Sequence, residues 1–195
     1  MGLNVRVETD VKADPQRVFD YLADGEKLPE WMAEFLEVEK VSDGAPARGT
    51  VYRYVMRRGA NSTFEWSEFE PARRIAWDGE RVPSMPGGWI KPDGYYELSP
   101  RDGGTHVAIV LQAAVGGTMK LMQPLMGRQM RKGTIEDAAR LKAILEGHPE
   151  TAPQQDEALP TAPSGEPLIA PPEDLGHSSR LEEPTGEQPG EARQA

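Results

Sequence analysis

The sequence predicts an α+β fold in which seven antiparallel strands form a curved sheet around one long helix at the end of the domain. Apolar residues alternate with a period of two in most segments between residues 36 and 113, and short turns separate those segments. A single long stretch with helical periodicity follows, from Thr118 to Leu145. A sheet with one exposed face must bury the other, and this last helix is the largest element able to cover it.

The composition changes near residue 146. Residues 147–195 contain 9 prolines and no aromatic side chain, and 10 acidic against 2 basic residues give this segment a net charge of −8. The preceding 146 residues hold 22 acidic and 20 basic side chains, a net charge of −2. A segment with so little apolar surface cannot offset its ordering entropy. We therefore predict one globular domain at residues 1–146 and a disordered acidic tail at residues 147–195.

Several classes of protein are excluded by what the sequence lacks. There is no cysteine, so disulfides and thiolate chemistry are absent. No signal-peptide pattern or apolar run of membrane-spanning length occurs, and we expect a cytoplasmic protein that is not integral to a membrane. A near-neutral domain predicts no nucleic-acid partner, because phosphate contacts need a basic face. The sequence leaves open whether the domain forms a homodimer.

The first elements have clear local signals. Alternation of apolar and charged residues from Leu3 to Val11 predicts a half-buried strand. Asp14 followed by Pro15 is typical of a helix N-cap and first helical position, so a short helix is expected there. A further helical turn is predicted around Leu28–Met32.

Six more strands are predicted after these helices. They are expected at Leu36–Val41, Thr50–Arg57, Thr63–Glu70, Arg73–Glu80, Tyr95–Leu98 and Thr105–Ala113. The segment from Val82 to Asp93 contains three prolines and two glycines, which predict a long loop. This loop is either a lid over a cavity or a variable connection.

The last helix has two different halves. In the second half, Ala138, Leu141 and Leu145 form an apolar stripe, and Asp137 and Arg140 are expected on the opposite, polar side. The first half is rich in methionine, a flexible side chain that fills irregular space. We expect the sheet to cover the second half and the first half to line a cavity, although methionines that simply fill a core would give the same pattern.

The order and spacing of five segments resemble the START / Bet v 1-like superfamily, in particular its polyketide cyclase/dehydrase-like branch. The segments are Asp14–Leu22, Leu28–Trp31, Phe69–Trp77, Gly103–Val107 and Leu141–Glu146. Pro71-Ala72 departs from the pair of prolines that is common at this corner in the family. The resemblance implies a helix-grip fold with a deep cavity for an apolar or amphipathic ligand. It does not define the chemistry, which depends on the site.

The expected cavity wall consists of aromatic and methionine side chains from the sheet, the end helices and the last helix. The candidates are Trp31, Tyr52, Tyr54, Phe64, Trp66, Trp77, Met122, Met126 and Met130. The alternative is that these side chains fill a solid core.

Glu68 is a weak candidate for a catalytic acid or base, because period-two counting places it on the same face as Phe64 and Trp66. The favoured alternative is that a strand bulge or the end of the strand places Glu68 in solvent, near Arg73 or Arg74. The domain has one histidine, His106, which is predicted at the surface, so we expect no metal site and no cofactor.

Three functions remain open at this point. The first is binding of a hydrophobic small molecule, polyketide-like or lipid-like. The second is catalysis by a cyclase or aromatase that folds a poly-β-keto chain and uses a cavity acid or base. The third is an interaction protein whose acidic tail recruits a partner.

Overall fold

The computed structural model describes residues 2–57, 59–84 and 86–149. Strands β1 (Leu3–Val11), β2 (Phe35–Lys40), β3 (Val51–Met56), β4 (Asn61–Glu70), β5 (Arg74–Gly79), β6 (Val82–Pro83), β7 (Gly88–Arg101) and β8 (Gly104–Gly117) form the sheet. Helices α1 (Pro15–Ala23) and α2 (Leu28–Trp31) follow β1, separated by a 3₁₀ turn at Gly25–Lys27, and α3 spans Met119–Leu145. The acidic tail predicted from the sequence lies almost entirely outside the described residues.

The strands form a single antiparallel sheet in the order β1-β8-β7-β5-β4-β3-β2, and β6 pairs with the start of β7. The concave face of the curved sheet packs against α3. Helices α1 and α2 connect β1 to β2, the two edge strands of the sheet. This arrangement confirms the predicted α+β helix-grip fold. The short β6 is an eighth strand that the sequence did not indicate.

The segment predicted as a long loop is part of a hairpin. Strand β7 begins at Gly88 and pairs with β8 along its whole length, so only residues around 84–87 connect β6 to β7. Pro92 fits within β7 because β5 pairs with β7 only as far as Asp93. Beyond that point one side of β7 carries no β5 partner, and a strand tolerates a residue without an N–H there.

Helix α1 begins as its sequence predicts. The Asp14 carboxylate accepts a hydrogen bond of 2.9 Å from the backbone N–H of Gln16, and Pro15 occupies the first helical position. The apolar side of the helix, Val18, Phe19 and Leu22, is buried against the sheet.

We expect Asp14→Ala to lower the free energy of unfolding by about 1 kcal/mol, because the Gln16 N–H in the first turn loses its capping carboxylate. Urea unfolding measures the change. Asp14→Asn keeps a capping oxygen and is the matched control, so its stability should stay close to that of the natural chain. An equal loss in both variants would show that the carboxylate acts through charge and not as a cap.

The second half of α3 buries the predicted stripe of Ala138, Leu141 and Leu145. The expectation for Asp137 and Arg140 was wrong, because both are buried. Asp137 precedes Leu141 by four residues, a spacing that places the two side chains on the same face of a helix. The prediction that Asp137 and Arg140 lie on the polar side of α3 came from their charge and not from their spacing.

The first half of α3 is less covered than its composition suggests. Met119 is buried, whereas Leu121 is 84% exposed and Leu125 is 59% exposed. The methionines at 122, 126 and 130 are half-buried. The inner side of this half-helix, opposite Leu125, faces the space described next.

Candidate functional site

A cavity of about 350 Å³ lies between the concave face of the sheet and the inner side of α3. This volume is within the range of small-molecule sites. The sheet contributes mainly aromatic and aliphatic side chains, namely Tyr54, Met56, Phe64, Trp66, Trp77, Ile90, Tyr96 and Leu111. Its edge strands β1 and β2 add Leu3 and Phe35, and Leu28 and Met32 come from α2 and the residue after it.

One stripe of α3 forms the opposite wall. The stripe recurs at three- and four-residue steps and comprises Met126, Gln129, Met130, Gly133, Thr134 and Asp137. It runs from adaptable methionines at one end to polar groups at the other. The Thr134 hydroxyl donates to the Met130 carbonyl at 2.7 Å, so it is satisfied within the helix.

Six of the nine predicted wall residues line this cavity. They are Tyr54, Phe64, Trp66, Trp77, Met126 and Met130. The four aromatic side chains among them also contact one another, and the ring centroids of Phe64 and Trp66 are 5.1 Å apart. The period-two alternation of the strands and the four-residue step of α3 correctly indicated that these side chains face the same space.

Trp31, Tyr52 and Met122 do not line the cavity. Trp31 is buried behind it, with its ring centroid 5.8 Å from that of Tyr96. The Tyr52 ring lies under the 3₁₀ turn, so close that a Cβ on Gly25 would be 2.7 Å from it. Its hydroxyl donates to the Ala23 carbonyl at 3.2 Å. Met122 lies one helical turn before Met126, outside the lining stripe.

Glu68 does not face the cavity. The pairing of β4 with β5 shifts between Trp66 and Glu68, and this bulge reverses the alternation beyond it. Phe69 takes the inward place, with its ring centroid 5.0 Å from that of Phe19. The Glu68 side chain is half exposed and forms an ion pair with Arg74. Glu68 therefore faces solvent, as the alternative interpretation of the sequence expected.

Asp137 is a buried acidic side chain of the cavity wall that sequence reasoning missed, and Glu34 is another acidic residue that lines the cavity. It is 7% exposed, accepts a 3.2 Å hydrogen bond from the Ala33 N–H and pairs with the Arg140 guanidinium. Arg140 in turn donates to the Trp31 carbonyl at 2.9 Å. Burial raises the pKa of the Asp137 carboxyl above its ordinary value, and the Ala33 N–H and Arg140 oppose that rise.

Tyr96 is a second polar group of the cavity wall. Its hydroxyl is buried and donates to the Met32 sulfur at 3.9 Å, a weak acceptor. Burial and, to a lesser extent, the nearby Asp137 charge raise the pKa of the Tyr96 hydroxyl. Tyr96 therefore stays protonated and able to donate.

Because its pKa is raised on folding, Asp137 binds a proton more tightly in the folded chain than in the unfolded one. Its contribution to stability is full below the ordinary pKa of 3.8 and falls as the pH rises through the folded pKa. We expect the stability of the natural chain relative to Asp137→Asn to decrease over that window. Urea unfolding of both chains in parallel measures it, and a relative stability that grows with pH would contradict the raised pKa.

Metal ligands are not clustered in the described part of the chain, where no group of three His, Asp or Glu side chains could hold an ion. His106 lies on the outer face of the sheet, 2.7 Å from the Asp10 carboxylate. No helix of the described residues has the length and apolarity needed to cross a membrane.

Residues 3–146 match the sequence model of the family described as polyketide cyclase / dehydrase and lipid transport. No curated protein sequence matches the chain significantly.

Solved structures with the same fold have low sequence identity. The di-domain aromatase/cyclase StfQ of the steffimycin biosynthetic pathway is 14% identical with a TM-score of 0.59, covering 77% of this chain and 53% of that chain. Ara h 8.0201 is 13% identical with a TM-score of 0.56, covering 75% and 99%. The Zhui aromatase/cyclase from a Streptomyces species is 18% identical with a TM-score of 0.52, covering 77% and 94%. At these identities the likeness shows the fold.

Proposed function

Since the chain belongs to the polyketide cyclase / dehydrase and lipid transport family, we propose that it binds a hydrophobic small molecule in the cavity between the sheet and α3. The ligand is polyketide-like or lipid-like, and the cytosol is the compartment we propose for this binding. The observation that carries the proposal is the wall itself, which combines six aromatic side chains with flexible methionines and few polar groups. Burial of apolar ligand surface against such a wall is the driving force.

A neutral fluorescent probe, N-phenyl-1-naphthylamine, tests this proposal on the full chain. We expect saturable binding of one probe per chain, with the rise in emission that follows transfer of the dye from water to an apolar site. An unlabelled apolar competitor should reverse the rise. Absence of saturable binding would contradict the proposal.

Asp137 favours a second candidate function, a cyclase or aromatase acting on a poly-β-keto chain. A buried carboxylate with a raised pKa is suited to take a proton from a methylene between two ketones. The resulting enolate carbon would attack a ketone carbon of the same chain, and the ketone oxygen would receive a proton, with the Tyr96 hydroxyl as the donor. Confinement in the cavity would bring the two carbons together.

Turnover of a poly-β-keto substrate by variants separates the two functions. An enzyme of this type should lose at least about 100-fold in rate in Asp137→Asn, which keeps an acceptor for the Ala33 N–H. Glu68→Gln is the matched control on the outer face and should keep the natural rate. Tyr96→Phe tests the proposed donor independently of the Asp137–Arg140 pair. Unchanged turnover in both cavity variants would exclude these acid and base roles.

A further inference from the structure

The outer side of the first half of α3 carries leucines and cations together. Leu121, Leu125, Arg128 and Arg131 follow one another at steps of four, three and three residues, and Lys120 flanks them. All five residues are exposed to solvent, and we call them the outer face of α3. Isolated leucines at a surface need no explanation, but two neighbouring leucines rimmed by cations are typical of an interaction surface.

Positive charge is concentrated at this face. Residues 103–135 contain no acidic residue and four basic ones, the three of the outer face and Lys132. The predicted domain has a net charge of −2, so this segment leaves −6 on the remainder of the domain. Lys132 is paired with Glu136 at 3.8 Å, whereas the three cations of the outer face have no ion-pair partner among the described residues. The outer face is therefore a local site of positive potential on an acidic chain.

The cavity opens beside the outer face. Gln129 lines the cavity wall and is also exposed, so the cavity reaches solvent at this position. Gln129 follows Leu125 by four residues and therefore lies about one helical turn from it. Met126, next to Leu125 in the chain, lines the cavity as well. A partner seated on the outer face therefore lies next to the cavity mouth.

The size and charge of this face fit a bilayer better than a second copy of the chain. A stable protein interface buries about 800 Å² per partner, whereas the apolar part of the outer face consists of two leucines. Contact with the same face of a second copy would also bring the cations of both copies together. A bilayer needs no matching groove, because leucines enter the boundary between its headgroups and acyl chains while Lys and Arg reach the phosphates. Each cation near an anionic lipid surface strengthens binding by about five-fold.

We propose that the outer face of α3 docks the chain on the surface of an anionic phospholipid bilayer. Leu121 and Leu125 enter the boundary between headgroups and acyl chains, and Lys120, Arg128 and Arg131 bind lipid phosphates. The docking does not depend on the identity of the cavity ligand. Combined with the proposed function, it brings the cavity mouth to the bilayer, where an apolar ligand enters without crossing bulk water.

Co-sedimentation with sucrose-loaded vesicles tests this docking on the full chain. One set of vesicles is phosphatidylcholine, and the other contains about one-third phosphatidylglycerol in the same lipid. We expect at least about 10-fold stronger binding to the anionic vesicles, and a decrease in binding as added salt screens the attraction. Absence of binding, or equal binding to the two sets, would overturn the proposal.

Arg128→Gln with Arg131→Gln should weaken binding to the anionic vesicles by about 10- to 30-fold, because two phosphate contacts are lost. Arg17→Gln with Arg73→Gln is the matched control, since it removes two exposed cations outside α3 and changes the net charge equally. It should bind nearly as well as the natural chain. An equal loss in the two variants would show that net charge, and not the outer face, determines binding.

Leu121→Gln with Leu125→Gln should weaken binding to the same vesicles by at least about 10-fold, since both side chains lose their insertion. Val41→Gln replaces an exposed apolar side chain outside α3 and should bind as the natural chain does. Sedimentation velocity gives the oligomeric state in parallel. A dimer that the leucine variant dissociates would assign the outer face to a second copy and overturn the bilayer contact.

Gly133→Phe separates this docking from the proposed function, because its ring enters the cavity and leaves the outer face unchanged. It should lose affinity for N-phenyl-1-naphthylamine and keep its binding to anionic vesicles. Vesicle binding by a natural chain that binds no probe contradicts the proposed function alone. Probe binding without vesicle binding contradicts the docking alone.

Discussion

A phenylalanine in place of Gly133 is expected to weaken binding of an apolar ligand by about 10- to 100-fold, the cost of overfilling an occupied cavity. Gly133 lies in the middle of the α3 stripe that lines the cavity, seven residues after Met126 and four before Asp137. A Cβ at this position would meet no heavy atom within 4 Å apart from its own helical backbone. The aromatic ring can therefore occupy the space that the ligand needs, and its Cβ does not clash with neighbouring side chains.

The same substitution should leave the fold intact. Glycine is the least favourable residue for a helix interior after proline, so phenylalanine improves helix propensity by a few tenths of a kcal/mol. Lys132→Phe is the control on the adjacent, exposed position of α3. It adds an equal ring outside the cavity and should keep the natural affinity for N-phenyl-1-naphthylamine. Equal affinities for Gly133→Phe and the natural chain would place the ligand elsewhere.

The largest effect on stability is expected from Asp137→Ala, which should lower the free energy of unfolding by about 3–5 kcal/mol. Arg140 is 4% exposed, and removal of Asp137 leaves its charge without the carboxylate that pairs with it. The Ala33 N–H also loses its acceptor. Urea unfolding at pH 7 measures the loss. Removal of one partner is more harmful than removal of both, because the remaining charge stays buried.

The double variant Asp137→Leu with Arg140→Met is the control for that explanation. It replaces the pair by apolar side chains of similar size, and it should be clearly more stable than Asp137→Ala. The Trp31 carbonyl then loses its Arg140 donor, so some loss relative to the natural chain remains. A double variant as unstable as Asp137→Ala would show that packing around position 137, and not the loss of the Asp137 carboxylate beside Arg140, sets the stability.

Local patterns in the sequence were sufficient for most of the fold. β1 was predicted from strict alternation and occupies Leu3–Val11 as expected, and Asp14-Pro15 correctly predicted the start of α1. The long final helix was predicted from its apolar stripe and ends at Leu145. These signals depend on neighbours a few residues apart, so one sequence contains them in full.

The errors occurred where distant partners decide the structure. Proline and glycine at 83–92 favoured a loop, but pairing with β8 extends β7 through this segment. The bulge before Glu68 depends on the register between β4 and β5, which alternation within β4 does not reveal. Asp137 was misplaced because charge was taken as a sign of exposure, whereas Arg140 and the Ala33 N–H make its burial tolerable.

The most direct test of ligand binding between the sheet and α3 is a methyl NMR titration of the full chain with methionine labelled at its methyl carbon. Met32, Met56, Met126 and Met130 line the cavity, whereas Met119 and Met122 lie outside it. An aromatic ligand such as N-phenyl-1-naphthylamine shifts the signals of methyl groups next to its rings. The cavity predicts large shifts of those four signals and small shifts for Met119 and Met122. Shifts confined to Met119 and Met122, or none at saturating ligand, would contradict binding in this cavity.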